Sequence, residues 1–413
     1  MPTESYPRQS KNKAPVKKVL VVDYAGYDSI GEMPYLFSNA GAHVSVMCHK
    51  TSWLLKNSFY DTVVLFSDPA LLECAREIIQ HVQEIPYDWI IIGDDEMLRA
   101  LNLLIQDEDL FKKLLPLTSS KNRNMIGSKS GLSVLCTLYG LTTPAYAVVS
   151  TPKEISTAVH DIGFPILIKV NESSGGSGVF FCANEHEVIA QFSILSPEQK
   201  KDTLLQKYID GDIISVEALY HNGHLRAYAY SRVTRVVYRR FGISSERVYS
   251  ECPSIEQELV PIGAALGLHG CMTMTFIRET ATGIHFLIET DLRPQVWFRL
   301  ASYVGVLFHE AFRDFLQDKD TLYRPKIENR LHQRVIWNFS REIIRAGLER
   351  KPLELLKWLV GWRGRWRYIP WYDCVLLKAT CRQLAVLYVH GIRKAMHSFS
   401  EQIRKVVPQG ILK

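Results

Sequence analysis

A chain of 413 residues, 47% hydrophobic, 22% charged and 11% aromatic, is long enough for two or three packed domains and too apolar for wholesale disorder. Its net charge of +6 hides an asymmetry: Arg330 to Lys413 carry 17 Lys+Arg against five Asp+Glu, so the rest of the chain is net acidic. No run of about 18 apolar residues exists to span a membrane, and eight cysteines without a C-x-x-C pair argue against a zinc ribbon or redox motif and for a reducing, cytoplasmic setting.

Residues 1–16 are polar with three basic side chains and no following apolar run, which reads as a flexible tail rather than a signal peptide. Lys17 to Asp23 is a short apolar run leading into the turn-prone Tyr24–Asp28, the pattern of a buried parallel strand. Gly31 to Ala40 fits a helix stopped by Gly41. Strands follow at His43–Cys48, Thr62–Phe66 and Trp89–Ile92, with a helix at Leu71–Glu84. This alternation predicts a doubly wound α/β domain over residues 17–118. No G-x-G-x-x-G follows the first strand, so no dinucleotide site is indicated.

Beyond Pro116 the pattern changes. Ser128 to Tyr139 is helical in spacing and is closed by Gly140 with Pro144 beyond. Strand-like segments follow at Phe164–Val170, Val179–Cys182, Leu204–Gly211, Ile213–Tyr220, Tyr228–Tyr238, Met272–Ile277 and His285–Ile288, which predicts a mixed α+β domain with few helices. From Leu331 onward helical spacing dominates.

Three segments carry chemistry. Lys169 ends an apolar strand and precedes the small-residue loop Ser173-Ser174-Gly175-Gly176-Ser177-Gly178. Such a loop lets backbone N–H groups approach phosphate oxygens, and the lysine adds a point charge. It is not a Walker A loop, because the lysine precedes the glycines, and taken alone it is also an ordinary hairpin turn. Gln206-Lys207-Tyr208-Ile209-Asp210-Gly211 follows. In Glu289-Thr290-Asp291-Leu292-Arg293, strand alternation puts Glu289, Asp291 and Arg293 on one face, where two carboxylates could share a Mg²⁺–phosphate group. The same strand reads equally as a surface strand of mixed charge.

Ser128-Lys129, Phe164-Pro165-Ile166-Leu167-Ile168-Lys169, the small-residue loop, Gln206 to Gly211 and Glu289 to Arg293, in this order, resemble the ATP-grasp superfamily, closest to its carbamoyl-phosphate-synthase-like branch. The resemblance covers about Lys17 to Leu316. It implies an ATP-grasp fold at residues 119–325, a pre-ATP-grasp α/β domain before it, and a helical extension at 326–413. It also implies ATP and Mg²⁺ as cofactors. Lys129 and Lys169 then resemble the two phosphate lysines, and Ser173 to Gly178 the loop over the phosphates. Gln206, Lys207 and Ile209 fall at the adenine-binding hinge, Glu289 and Asp291 at the metal positions, and Arg293 at the arginine that commonly follows.

There are departures. The ribose-binding acid falls near Ile213, with Asp212 one position early, and the other metal-binding acid falls near Thr275 or Phe276. Arg293-Pro294-Gln295-Val296 resembles the biotin-carboxylase sequence, but Trp297 stands where that group has glutamate, which speaks against biotin carboxylation.

The implied activity is ATP-dependent ligation, in which a small-molecule carboxylate becomes an acyl phosphate and an amine attacks it. A catalytically weak ATP-binding regulator is the alternative. Within the arginine-rich Arg232–Arg247, which also reads as a solvated strand and loop, Arg235 is the choice for a substrate clamp. The extension holds five of the eight tryptophans amid Arg and Lys. It reads either as a subdomain packed on the core or as a segment contacting an anionic membrane surface. Nucleic acid is not the expected partner, since no RNA-binding motif accompanies the aromatics.

Overall fold

The computed structural model describes residues 16–173, 175–237, 241–328 and 331–387. The expected N-terminal tail lies, except for Val16, outside them.

The first unit contains β1 (Lys18–Asp23), α1 (Met33–Asn39), β2 (His43–Cys48), β3 (Thr62–Leu65), α2 (Leu71–Glu84) and β4 (Trp89–Ile92). It ends with α3 (Asp95–Leu104) and α4 (Glu108–Leu114). Its four strands are all parallel in the order β3-β2-β1-β4. β1 is apolar at successive positions because both faces are covered. Val19 and Val21 share a core with Phe37 of α1, whereas Leu20 and Val22 pack in the core that holds Ile78 of α2.

After α5 (Lys129–Leu138) comes a small lobe of β5 (Tyr146–Val149), α6 (Pro152–Ile162), β6 (Ile166–Lys169) and β7 (Val179–Cys182). It continues through α7 (Glu185–Ser193), α8 (Pro197–Lys200) and β8 (Thr203–Lys207). Its antiparallel order is β5-β8-β6-β7, and it keeps a core of its own around Ile155, Ile166, Ile168 and Leu205. β5 and the helices of this lobe were not among the expected elements, although Thr151 with Glu154 and Ser196 with Gln199 form capping boxes at the starts of α6 and α8.

The central sheet is built from β9 (Gly211–His221), β10 (His224–Val236), β11 (Ser244–Ser250), β12 (Gly270–Glu279) and β13 (His285–Asp291). Helix α9 (Glu256–Leu266) precedes β12, and α10 (Trp297–Leu300) and α11 (Phe308–Leu316) follow β13. The sixth strand comes from the extension: β14 (Gln333–Trp337) pairs antiparallel with β11 to give β13-β12-β9-β10-β11-β14. The helical reading from Leu331 onward misses this strand, which its short QRVIW run did not announce.

The rest of the extension is α12 (Phe339–Leu348), α13 (Pro352–Leu359) and helical residues 374–387. It bridges the first unit and the central sheet. Trp337 Nε1 donates to Glu246 at 2.5 Å, Ser58 N donates to Asp373 at 2.8 Å, and the Tyr372 hydroxyl donates to Glu32 at 2.6 Å. Trp337 and Trp358 are buried, while Trp362, Trp366 and Trp371 are exposed. Among the described residues no helix is long and apolar enough to cross a membrane.

Candidate active site

A cleft of about 560 Å³ opens between the small lobe and the central sheet, and the first unit and the extension close one end of it. Leu167, Lys169 and Gln206 enter from the small lobe, and Ser215, Thr275 and Glu289 from the sheet.

Lys169 is buried, and among the described residues it makes no hydrogen bond or ion pair. Burial, aided by the charge of Lys129 and opposed by Glu289, brings its ammonium down to about 8. Lys129 is the first residue of α5, which Ser128 caps by accepting from Gly131 N at 3.0 Å. Its Nζ donates to the Ser173 carbonyl at 2.5 Å, while Asn171 accepts from Ser130 N at 3.0 Å. The start of α5 and the small-residue loop are therefore tied together.

In that loop Gly175 and Gly176 have positive φ, and a Cβ on Gly176 would lie 2.0 Å from the Phe241 carbonyl oxygen. Glycine is required there so that the loop can lie against Phe241, which itself lines the cleft. Ser173, Gly175 and Gly176 line the cleft as well; Ser177 and Gly178 complete the turn, and Ser174 lies outside the described residues.

Gln206 is buried with an unpartnered Nε2, Lys207 Nζ donates to the Phe164 carbonyl at 2.6 Å, and Ile209 lines the cleft. An orphaned amide donor beside a half-buried lysine and an apolar side chain suits a flat heteroaromatic base, which offers ring acceptors.

On β13, Glu289 and Asp291 both face the cleft. Burial, the neighbouring Glu289 and Asp95 raise the Asp291 carboxyl, against the pull of Arg293 and Lys129. Carboxylates this crowded fit a divalent cation, which would relieve their repulsion. Thr275 is the registry partner of Glu289 and Thr273 that of Asp291. Hydroxyls thus stand where a third acid would complete the set, and among the described residues no cluster of three or more His, Cys, Asp or Glu could hold a metal. Glu279 lies at the far end of β12, accepting from Thr282 at 2.6 Å. Asp212 faces away from the cleft, toward Arg278 at 3.3 Å and Arg232 at 3.6 Å.

Arg293 lines the cleft and donates to Asp95 of α3 at 2.8 Å. Burial disfavours its charge, but Asp291 and Asp95 outweigh burial and hold the guanidinium firmly protonated. Arg235 does not reach the cleft. A β-bulge between Val233 and Val236 turns it to the opposite face, where it meets Glu246, Glu342 and Glu354 at 3.3–3.7 Å. Arg235 is therefore not placed to clamp an anion in the cleft; among the described residues, the arginine of this segment that lines the cleft is Arg247. Arg247 pairs in register with cleft-lining Val233, bonds Glu217 at 2.6 Å and stacks 4.2 Å over the Trp297 ring. Arg341 of the extension also lines the cleft, and so do Tyr27, Asp28 and Asp95 of the first unit. None of these had a sequence signal beyond the Gly93-Asp94-Asp95 turn and the arginine-rich segment that contains Arg247.

Residues 139–217 match the family model of the carbamoyl-phosphate synthase L chain, ATP binding domain. Among curated proteins, the chain is 27% identical over 169 residues to a D-alanine–D-alanine ligase of Xylella fastidiosa, covering 38% of this chain and 54% of the ligase. It is 26% identical over 167 residues to the 2-oxoglutarate carboxylase small subunit of Hydrogenobacter thermophilus, covering 36% of this chain and 34% of that subunit. The matches thus span about half and a third of these relatives. Among solved structures, N5-carboxyaminoimidazole synthetase of Staphylococcus aureus bound to ADP superposes with a TM-score of 0.62 at 13% identity, covering 83% of this chain and 87% of that one. The biotin carboxylase domain of the Hydrogenobacter thermophilus enzyme with MgADP gives 0.56 at 18%, covering 76% and 71%. With the motif order and the three-sheet architecture already described, these matches give the chain the ATP-grasp fold, with residues 139–217 similar to the ATP-binding domain of the carbamoyl-phosphate synthase L chain.

Proposed function

We propose that the protein is an ATP-dependent ligase that phosphorylates a small-molecule carboxylate and delivers the acyl phosphate to an amine. The observation that carries this reading is the convergence of Lys129, Lys169, Glu289, Asp291 and Arg293 on one cleft. Lys129 and Lys169 supply point charges for the phosphates, and the small-residue loop offers backbone N–H groups around them. Gln206, Lys207 and Ile209 receive the base. Glu289 and Asp291 would hold Mg²⁺, which when bound neutralises phosphate charge. Arg293, kept charged by two carboxylates, would offset the charge that develops on the transferred phosphoryl. Its attachment to Asp95 fixes its direction and so contributes to positioning rather than to acid–base chemistry. The carboxylate oxygen attacks the γ-phosphorus, ADP leaves, and the amine then displaces phosphate from the acyl carbon. No nucleophile on the protein is required.

The test is Mg²⁺-dependent ADP release during a screen of amino acids and small acids. Glu289→Gln should abolish it and leave the thermal midpoint unchanged. The pairing of Glu289 with Thr275 rather than an acid supports a second reading, a regulator that binds nucleotide without turnover. Tight Mg-ATP binding by the wild type with no ADP from any acid would decide for it. We further propose a cytoplasmic protein whose extension meets an anionic membrane surface, a reading supported by the exposed tryptophans beside Arg363 and Arg367.

A further inference from the structure

Among the described residues, Arg341 has the most distant counter-ion of the four arginines that line the cleft. Arg247 has Glu217 at 2.6 Å, Arg293 has Asp95 at 2.8 Å and Arg99 has Glu172 at 3.6 Å, whereas the nearest carboxylate to Arg341 among the described residues, Asp28, is 4.0 Å away. The Arg341 side chain is only 7% exposed. Among the described residues its Nε has no partner, and its Nη1 has only the Ser244 carbonyl at 3.3 Å. A buried cation in this condition is unfavourable unless an anion from outside completes it.

Arg341 is also firmly placed. Asn338 caps α12 by accepting from Arg341 N at 3.1 Å, and Glu342 accepts from Ser245 at 2.7 Å, so the helix is fastened to β11.

The cleft has two poles. Lys169 feels Glu289 and Lys129. Arg341 feels Asp28, Arg247, Arg293 and Glu32, and the like charges of Arg247 and Arg293 add to burial in disfavouring its own. Arg293 acts on both Asp291 and Arg341. A carboxylate awaiting phosphorylation at Arg293 would leave Arg341 for a different group of the same molecule.

We propose that Arg341 receives a second anionic group of the substrate, so that the acid taken is at least dianionic, a dicarboxylate or a carboxylate bearing a phosphate or phosphonate. This rests on the ligase reading for the place of the reacting carboxylate. The second anion fixes the acid's direction in the cleft, and monoanionic acids of the same length are discriminated against because they leave the guanidinium unpaired.

The experiment uses the full chain with Mg²⁺ and a non-hydrolysable ATP analogue, and measures calorimetric binding of valerate, glutarate and 3-phosphonopropionate. At least one dianion should bind the wild type tenfold or more tighter than valerate, and the better of the two separates carboxylate from phosphonate recognition. Arg341→Met should remove the preference while leaving valerate binding and analogue affinity within twofold and the ligand-free thermal midpoint unchanged or raised. Arg341→Lys should keep part of the preference. No dianion preference in the wild type, equal losses for valerate and the dianions in Arg341→Met, or a midpoint lowered by several degrees would each overturn the proposal. Turnover is read separately. ADP formation from a monoanionic acid without any dianion preference would leave the ligase reading standing and remove this one. Arg341-dependent dianion binding without ADP formation would do the reverse.

Discussion

Lys169 joins the site's electrostatics to pH. Its ammonium titrates near 8 in the ligand-free protein because burial penalises the charge. The folded value lies below the usual 10.5, so the unfolded chain binds the extra proton between the two, and this residue's contribution to stability rises as pH increases from about 8 toward 10.5. Nucleotide binding has the opposite sign. A triphosphate beside Lys169 favours the charged form, so affinity is greatest below about pH 8 and falls above it, by up to about tenfold per unit until the complex itself titrates. Lys169→Met should weaken binding by about 2 kcal/mol, roughly thirtyfold, at pH 7 and flatten the profile. Titration of an ATP analogue from pH 7 to 9.5 checks both, and a wild-type profile that stays level would remove the charge role of Lys169. That Lys129, Lys169, Glu289 and Asp291 line one cleft was legible in the sequence, because each sits near the end of a strand or at the start of a helix beside a recognisable segment. Arg341 was not. It lies 48 positions beyond Arg293 in a stretch without resemblance, and only the return of β14 to the sheet brings it to the cleft.

Among the elements, β10 and β11 show where strand alternation stops being a guide. Counting by twos along β10 would place Val233 and Arg235 on one face. The bulge around Thr234 inserts an extra residue, so Val233 and Val236 face the cleft while Arg235 faces the extension. A bulge depends on hydrogen-bond spacing between strands and leaves no mark in one strand's residue types. The two arginines then carry different energies. Arg235 is about a third exposed and meets its acids at 3.3–3.7 Å, so Arg235→Ala should cost under about 1 kcal/mol and leave nucleotide binding unchanged. Arg247 is buried against Glu217, which has no exposure at all, and Arg247→Ala would strand that carboxylate at a cost of about 3–5 kcal/mol. Urea denaturation of both variants measures the contrast. Similar losses would mean that the bulge does not separate their roles. The parallel strands of the first unit had no such complication. Apolar on both faces, they were readable nearly to the residue, and the bounds of α2 match the sequence expectation.

At the scale of the molecule, the extension closes the sheet, supplies Arg341 and still leaves an apolar surface uncovered. Leu353, Leu359 and Val360 are exposed beside Trp362, Trp366 and Trp371, which are 55%, 52% and 60% exposed. Exposed Arg363 and Arg367 lie among them. Indole rings favour the headgroup region of a bilayer, and each basic residue near an anionic surface adds about 1 kcal/mol of attraction. Removing the whole extension cannot test this, because a chain ending near Asn329 would lose β14, uncover β11 and leave Glu246 without Trp337. Such a truncation is expected to aggregate. Surface changes avoid that problem. Trp362→Ser combined with Trp371→Ser and Arg363→Glu touches side chains that are mostly solvated, so the thermal midpoint should stay within about 2 °C of wild type. The unaltered protein should float with vesicles containing a third phosphatidylserine at low salt, and not with neutral vesicles. Flotation should fall as ionic strength approaches about 1 M, where the Debye length shrinks to about 3 Å. The triple variant should remain at the bottom of the gradient. If wild type fails to float at low salt, or the variant floats equally well, the apolar face has some other partner and the basic residues serve only to solvate it.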